Sequence, residues 1–158
     1  MQFFFDNSGE GEDGATYQQF NARIDSYKQG EDGNKFQASC WPNVQGPEFA
    51  KVDEWFHVAR TYDAATGAWK VYVDGVQTHD GVHEFGDPAG PFGDLDLTSP
   101  TMNALYIGGW AAIIDGVNNQ DWMTFFNGSV DEVRMYNRAL TDQEIGQLWQ
   151  QEKLINLE

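Results

Sequence analysis

The order of apolar and polar residues along the chain predicts strands over most of its length and a helix near its end. Phe3 to Phe5 is a short apolar run that starts a strand, and Asp6 to Gly14, DNSGEGEDG, reads as a flexible acidic loop. Phe20, Ala22 and Ile24 alternate with Asn21, Arg23 and Asp25, the pattern of a half-buried strand. Gln29 to Asn34 is a turn, and Lys35 to Trp41 returns as the second arm of a hairpin. Pro42 to Lys51 carries two prolines, Pro42 and Pro47, and reads as an irregular connection. Trp55 to Tyr62 is bulky on both faces, as at the centre of a sandwich. After the turn Tyr62 to Gly67, Trp69, Val71 and Val73 point one way and Lys70 and Tyr72 the other. Asp74-Gly75 is a hairpin dipeptide.

Glycines at 75, 81 and 86 argue for a loop around His79 and His83, whose spacing would bring two imidazoles together only on a helix. Gly86 to Pro100 is a Gly/Pro/Asp loop in which Leu95 and Leu97 admit a short edge strand. Leu105 to Gly109 and Met123 to Phe126 read as strands on either side of the loop Trp110 to Trp122. Asn127-Gly128 is a turn dipeptide, and Val130 to Tyr136 then alternates Val133 and Met135 against Glu132 and Arg134 as a strand. Thr141-Asp142-Gln143-Glu144 is a capping box. Ile145, Leu148 and Trp149 follow at i, i+3 and i+4 on one helical face, predicting a helix over Thr141 to Gln151. Trp55, Val58, Trp69, Val71, Leu105, Ile107, Val133 and Met135 are the expected core.

With 158 residues the chain reads as one domain, 1–158, long enough to bury a real core. Seventeen glycines and 15% aromatics suit an all-β chain with many turns. The net charge of −16 argues against nucleic acid and against anionic membrane surfaces. From Val71 to Val133 there is no Lys or Arg, while Asp and Glu recur. Two readings fit: a solvated acidic surface, or carboxylates that hold a cation such as calcium. Cys40 is the single cysteine, so no intrachain disulfide forms; its alternation with Phe36 and Ala38 makes it a small buried hydrophobe. There is no membrane-spanning run, and Met1 to Asp6 lacks the basic start and long apolar core of an export signal. His57, inside a bulky strand, reads as a packed histidine.

Three segments in order resemble the laminin G-like domains of the concanavalin A-like jelly-roll superfamily. These are WFHVARTYDAATGAWKVYVDG from Trp55 to Gly75, LYIGG from Leu105 to Gly109, and FNGSVDEVRMYNRAL from Phe126 to Leu140. Together they cover most of residues 54 to 149. The resemblance implies a two-sheet antiparallel jelly-roll sandwich with one short C-terminal helix. Such domains open with two or three further strands before the hairpin at residue 20, and these are not visible here. The expectation is therefore a domain lacking the family's first strands. Its N-terminal edge would be completed by a missing segment, by a partner chain, or by an unusual use of residues 1 to 15. The family also implies an extracellular or cell-surface setting. A structural calcium near the strand Val130 to Tyr136 would have Asp131 as one ligand and Asp6 or Asp13 from the acidic N-terminal loop as others.

The loop Trp110 to Trp122, WAAIIDGVNNQDW, carries the candidate ligand chemistry. Asp115, Asn118, Asn119, Gln120 and Asp121 lie between Trp110 and Trp122. An exposed indole stacks on the apolar face of a sugar ring while carboxylates and amides bond its hydroxyls. Both tryptophans could equally be packing residues of the core. Jelly-roll glycoside hydrolases of the laminarinase type carry Glu-x-Asp-x-(x)-Glu on one strand, and no such motif occurs here. Asp131 and Glu132 are adjacent and would face opposite sides of a strand. The expectation is a non-catalytic, lectin-like module that binds a glycan or polysaccharide and is stabilised by calcium. The alternative is a structural or adhesive subunit that packs through its N-terminal edge.

Overall fold

The structure is a computed structural model that describes residues 53–82, 126 and 128–155, together with the backbone of residues 2–10, 16–29, 35–40 and 43–45. The chain divides into two compact units, Met1–Ala50 with Asp96–Arg134 and Lys51–Leu95 with Met135–Glu158.

In the first unit, β2 (Thr16–Gln29) is the central strand of an antiparallel sheet. On one side it pairs with β1 (Gln2–Glu10), from Gln2 opposite Arg23 to Glu10 opposite Thr16. The register slips between Asp6 and Gly9, the mark of a bulge that fits one extra residue into β1. Along the rest of its length β2 pairs with β3 (Lys35–Cys40) and β4 (Asn43–Gln45). These two share one register, with Ile24 opposite Cys40 and Asn21 opposite Asn43. The break between them falls at Trp41-Pro42, where proline lacks the N–H a ladder uses. The hairpin expected from Phe20 to Trp41 is present. Two expectations are corrected. Asp6 to Glu10 is strand, because pairing with β2 satisfies its backbone whatever its polar composition. Asn43 to Gln45 is strand within the connection read as irregular.

In the second unit, β5 (Val58–Tyr62), β6 (Ala68–Val73) and β7 (Val76–Val82) form an antiparallel sheet in chain order. The β5–β6 turn is built on Asp63, whose carboxylate accepts from the N–H groups of Ala65 (2.8 Å) and Thr66 (3.2 Å). The β6–β7 turn places Asp74 at φ 51° and Gly75 at φ 78°, the two left-handed residues of a tight hairpin. His79 lies within β7 rather than in a loop: a register shift between Val71 and Tyr72 lets the glycine-bearing stretch stay in the ladder. Trp69 lies against Gly81, where an added Cβ would fall 2.7 Å from its ring.

Helix α1 (Asp142–Ile155) starts where the capping box predicts. The Glu144 N–H donates to Thr141 Oγ1 (3.3 Å), and the Thr141 N–H donates to the Glu144 carboxylate (2.8 Å). Its apolar face lies on the sheet through Ile145, which packs with Tyr72 and Leu140, flanked by Ala59 and Leu148. Val71 and Tyr72 are fully buried. Val58 and Trp69 are half-buried, and Leu105 and Ile107 lie outside the described residues.

The remaining core expectations fail. Trp55, Val133 and Met135 are exposed, and Val130–Tyr136 is not a strand. Alternation makes a segment able to pair but supplies no neighbour, and Glu132 at φ 52° interrupts the extended run.

Candidate functional site

The best-formed concavity in the second unit lies where the N-terminus of α1 meets the sheet. It is an open groove of about 460 Å³, lined by Thr61, Asp63, Lys70, Leu140, Asp142 and Gln143 among others. Alternation along β6 puts Lys70 and Tyr72 on the helix side, as the sequence pattern indicates. Both reach Asp142 Oδ1: Lys70 Nζ donates at 2.7 Å and the Tyr72 hydroxyl at 2.8 Å. Lys70 and then Tyr72 hold the Asp142 carboxyl below its ordinary range by bonding to its charged form. Burial, reinforced by the Asp142 carboxylate, pushes the Tyr72 phenol up to about 12.

A second cluster adjoins it. Arg138 grips Glu144 with both terminal nitrogens, at 2.9 and 2.5 Å, while Thr141 bonds the same carboxylate. The Arg138 pairing, followed by the Thr141 backbone and side chain, lowers the Glu144 carboxyl to about 2. The guanidinium of Arg138 is raised in turn. These ion pairs tie the start of the helix to the sheet and to the segment before it. Their charges are satisfied by one another, which is what docking requires, and the groove brings no nucleophile up to a base. The trio Lys70, Tyr72 and Asp142 is not legible in the sequence. Two of its members share a strand face, but the third lies seventy residues on.

At the other end of the hairpin, the His57 N–H donates to Asp74 Oδ1 (3.0 Å), and its carbonyl accepts from the Asp74 N–H (2.9 Å). The His57 ring stacks on Trp149 at 6.0 Å and 29°, with Nε2 3.6 Å from the Glu152 carboxylate. This is the packed histidine the sequence suggests.

The residues singled out for a ligand, Trp110, Asp115, Asn118, Asn119, Asp121 and Trp122, lie outside the described residues, as does Asp13. Asp6 stands in β1 opposite Gln19, at the start of the bulge. Asp131 is exposed, and its Oδ1 accepts from the N–H of Glu132 at 2.8 Å, a local cap. Among the described residues no group of three His, Cys, Asp or Glu side chains is placed to hold a metal ion. No described helix is long and apolar enough to cross a membrane.

Antiparallel sheets joined by tight hairpins, with one capped helix laid on a sheet, define an all-β protein with a single helical addition among the described residues. The particular family follows from comparison. The laminin G-like model of the concanavalin A-like lectin/glucanases superfamily matches residues 1–146, and the chain belongs to that family of β-sandwich proteins. Among solved structures, the chain is similar to residues 221–444 of an S-layer domain-containing protein from Clostridium thermocellum ATCC 27405. That likeness has a TM-score of 0.44 at 18% identity; it takes in 94% of this chain and 62% of the other. No curated protein matches the chain.

Proposed function

We propose that this chain is a non-catalytic carbohydrate-binding module of an extracellular protein. Membership of a superfamily of lectins and glucanases carries the reading. The sequence favours the binding side of that pairing, because the acid-bearing strand motif of the jelly-roll hydrolases is missing from it. The glycan is taken by the loop Trp110 to Trp122, with the indoles as stacking platforms and Asp115, Asn118, Asn119 and Asp121 as hydroxyl partners. A neutral sugar is expected, since a net charge of −16 repels sulfated or uronic polymers. Calcium remains part of this reading, with Asp131, Asp6 and Asp13 as its candidate ligands.

A glycan array followed by titration calorimetry tests the proposal. The expected affinity is weak, about 10 µM to 1 mM, as for one stacked ring and a few hydrogen bonds. Trp110→Ala or Trp122→Ala should abolish binding and leave the melting temperature within a few degrees. A large loss of stability in both variants would make the indoles core residues and sink the site. A second reading, as a structural subunit of a larger assembly, is favoured by the exposed apolar residues between Val130 and Tyr136.

A further inference from the structure

Val130–Tyr136, VDEVRMY, has the alternation of a strand but belongs to none. Its large apolar residues are exposed: Val130 by 51%, Val133 by 53%, Met135 by 57% and Tyr136 by 48%. Glu132 is held in the left-handed region, where its side chain accepts from Arg134 Nη2 at 2.6 Å. We propose that this segment is a self-complementary interface through which two copies of the chain pair as antiparallel strands about a two-fold axis at Val133.

The sequence of the segment selects the second copy as occupant. In an antiparallel pairing centred on Val133, Glu132 falls opposite Arg134 of the other copy, and Arg134 opposite its Glu132. On the same face Val130 falls opposite Tyr136, twice. That face therefore carries two opposite-charge pairs and two pairs of a β-branched residue with an aromatic one, all of which stabilise directly opposed positions. On the other face Val133 meets its own copy. A slip by one residue places Val133 opposite Arg134 or Glu132 and separates the charge pairs, so the pattern also sets the register. Such an interface is isologous and closes on itself as a dimer. Pairing moves Glu132 from its left-handed φ to the extended region, and its intrachain bond to Arg134 is exchanged for one to the partner copy's Arg134. This inference does not depend on glycan binding.

Sedimentation velocity on the full chain from about 10 µM to 1 mM tests it, the expected dissociation constant being on the order of 100 µM for one short strand pair. Glu132→Arg and Arg134→Glu should each weaken the dimer about tenfold or more, by setting like charges opposite one another. An equimolar mixture of the two variants should pair again, and so should the double exchange E132R/R134E. Recovery in the mixture separates loss of the interface from loss of fold. Amide hydrogen exchange at residues 130–136 should slow as concentration rises. A wild-type chain that stays monomeric overturns the proposal. So do single variants that dimerise like wild type, a mixture that stays monomeric, or a dimer with unchanged exchange at 130–136.

Discussion

Replacing Gly75 by alanine tests how the helix is seated on its sheet. Gly75 sits at φ 78° in the β6–β7 turn, and a Cβ there would lie 2.8 Å from Trp149 Cδ1 and 3.0 Å from Trp149 Cβ. Two costs follow. Holding alanine in the left-handed region costs about 1–2 kcal/mol. The clash costs about 1–3 kcal/mol more, because one contact is the Cβ of Trp149 and relief requires the helix itself to shift. Gly75→Ala should therefore destabilise the chain by about 2–5 kcal/mol in urea unfolding followed by far-ultraviolet circular dichroism. Trp149→Ala removes the ring that stacks on His57 and should cost about 2–3 kcal/mol, less than a fully buried tryptophan because Trp149 is only half-buried. In that background only the backbone cost remains, so Gly75→Ala should fall to about 1–2 kcal/mol. The coupling in the double-mutant cycle isolates the contact between turn and helix. Equal costs of Gly75→Ala in both backgrounds would refute the placement of Trp149 over the turn.

Three further outcomes are expected. Ile145→Ala, which empties the centre of the helix–sheet core, should cost about 2–4 kcal/mol by the same unfolding assay, with exposed Gln147→Ala as a near-neutral control. The Glu144 carboxyl is depressed to about 2 from an ordinary 4.5, so its contribution is present above the ordinary value and lost as pH falls through about 2. Glu144→Gln should therefore flatten the acid limb of stability between roughly pH 5 and 2, and an unchanged limb would count against the Arg138 and Thr141 pairing. If calcium is held by Asp131 with Asp6 and Asp13, excess chelator should lower the melting temperature and Asp131→Ala should remove that difference. Equal melting temperatures with calcium and with chelator would leave Asp131 as the cap of Glu132 and nothing more.

Local chemistry on its own determined a good part of this protein. Asp74-Gly75 marks its turn because two consecutive left-handed residues are needed there, and Thr141 with Glu144 marks the helix start because the two groups satisfy each other's backbone within one turn. Alternation along Ala68–Val73 separated Lys70 and Tyr72 from Val71 and Val73, since a strand places successive side chains on opposite faces. The laminin G-like family was legible for the same reason, because its signatures are runs of such local elements in order. What needed the tertiary structure is whatever depends on a partner distant in sequence. Asp6 to Glu10 reads as loop by composition, yet becomes strand because β2 lies beside it. Val130 to Tyr136 reads as strand by alternation, yet stays exposed because pattern confers only the capacity to pair. The meeting of Lys70 and Tyr72 with Asp142, and of His57 with Trp149 and Glu152, joins residues seventy or more positions apart. Only the path of the folded chain brings such residues within hydrogen-bonding distance, because contact energy depends on separation in space and not on order along the sequence.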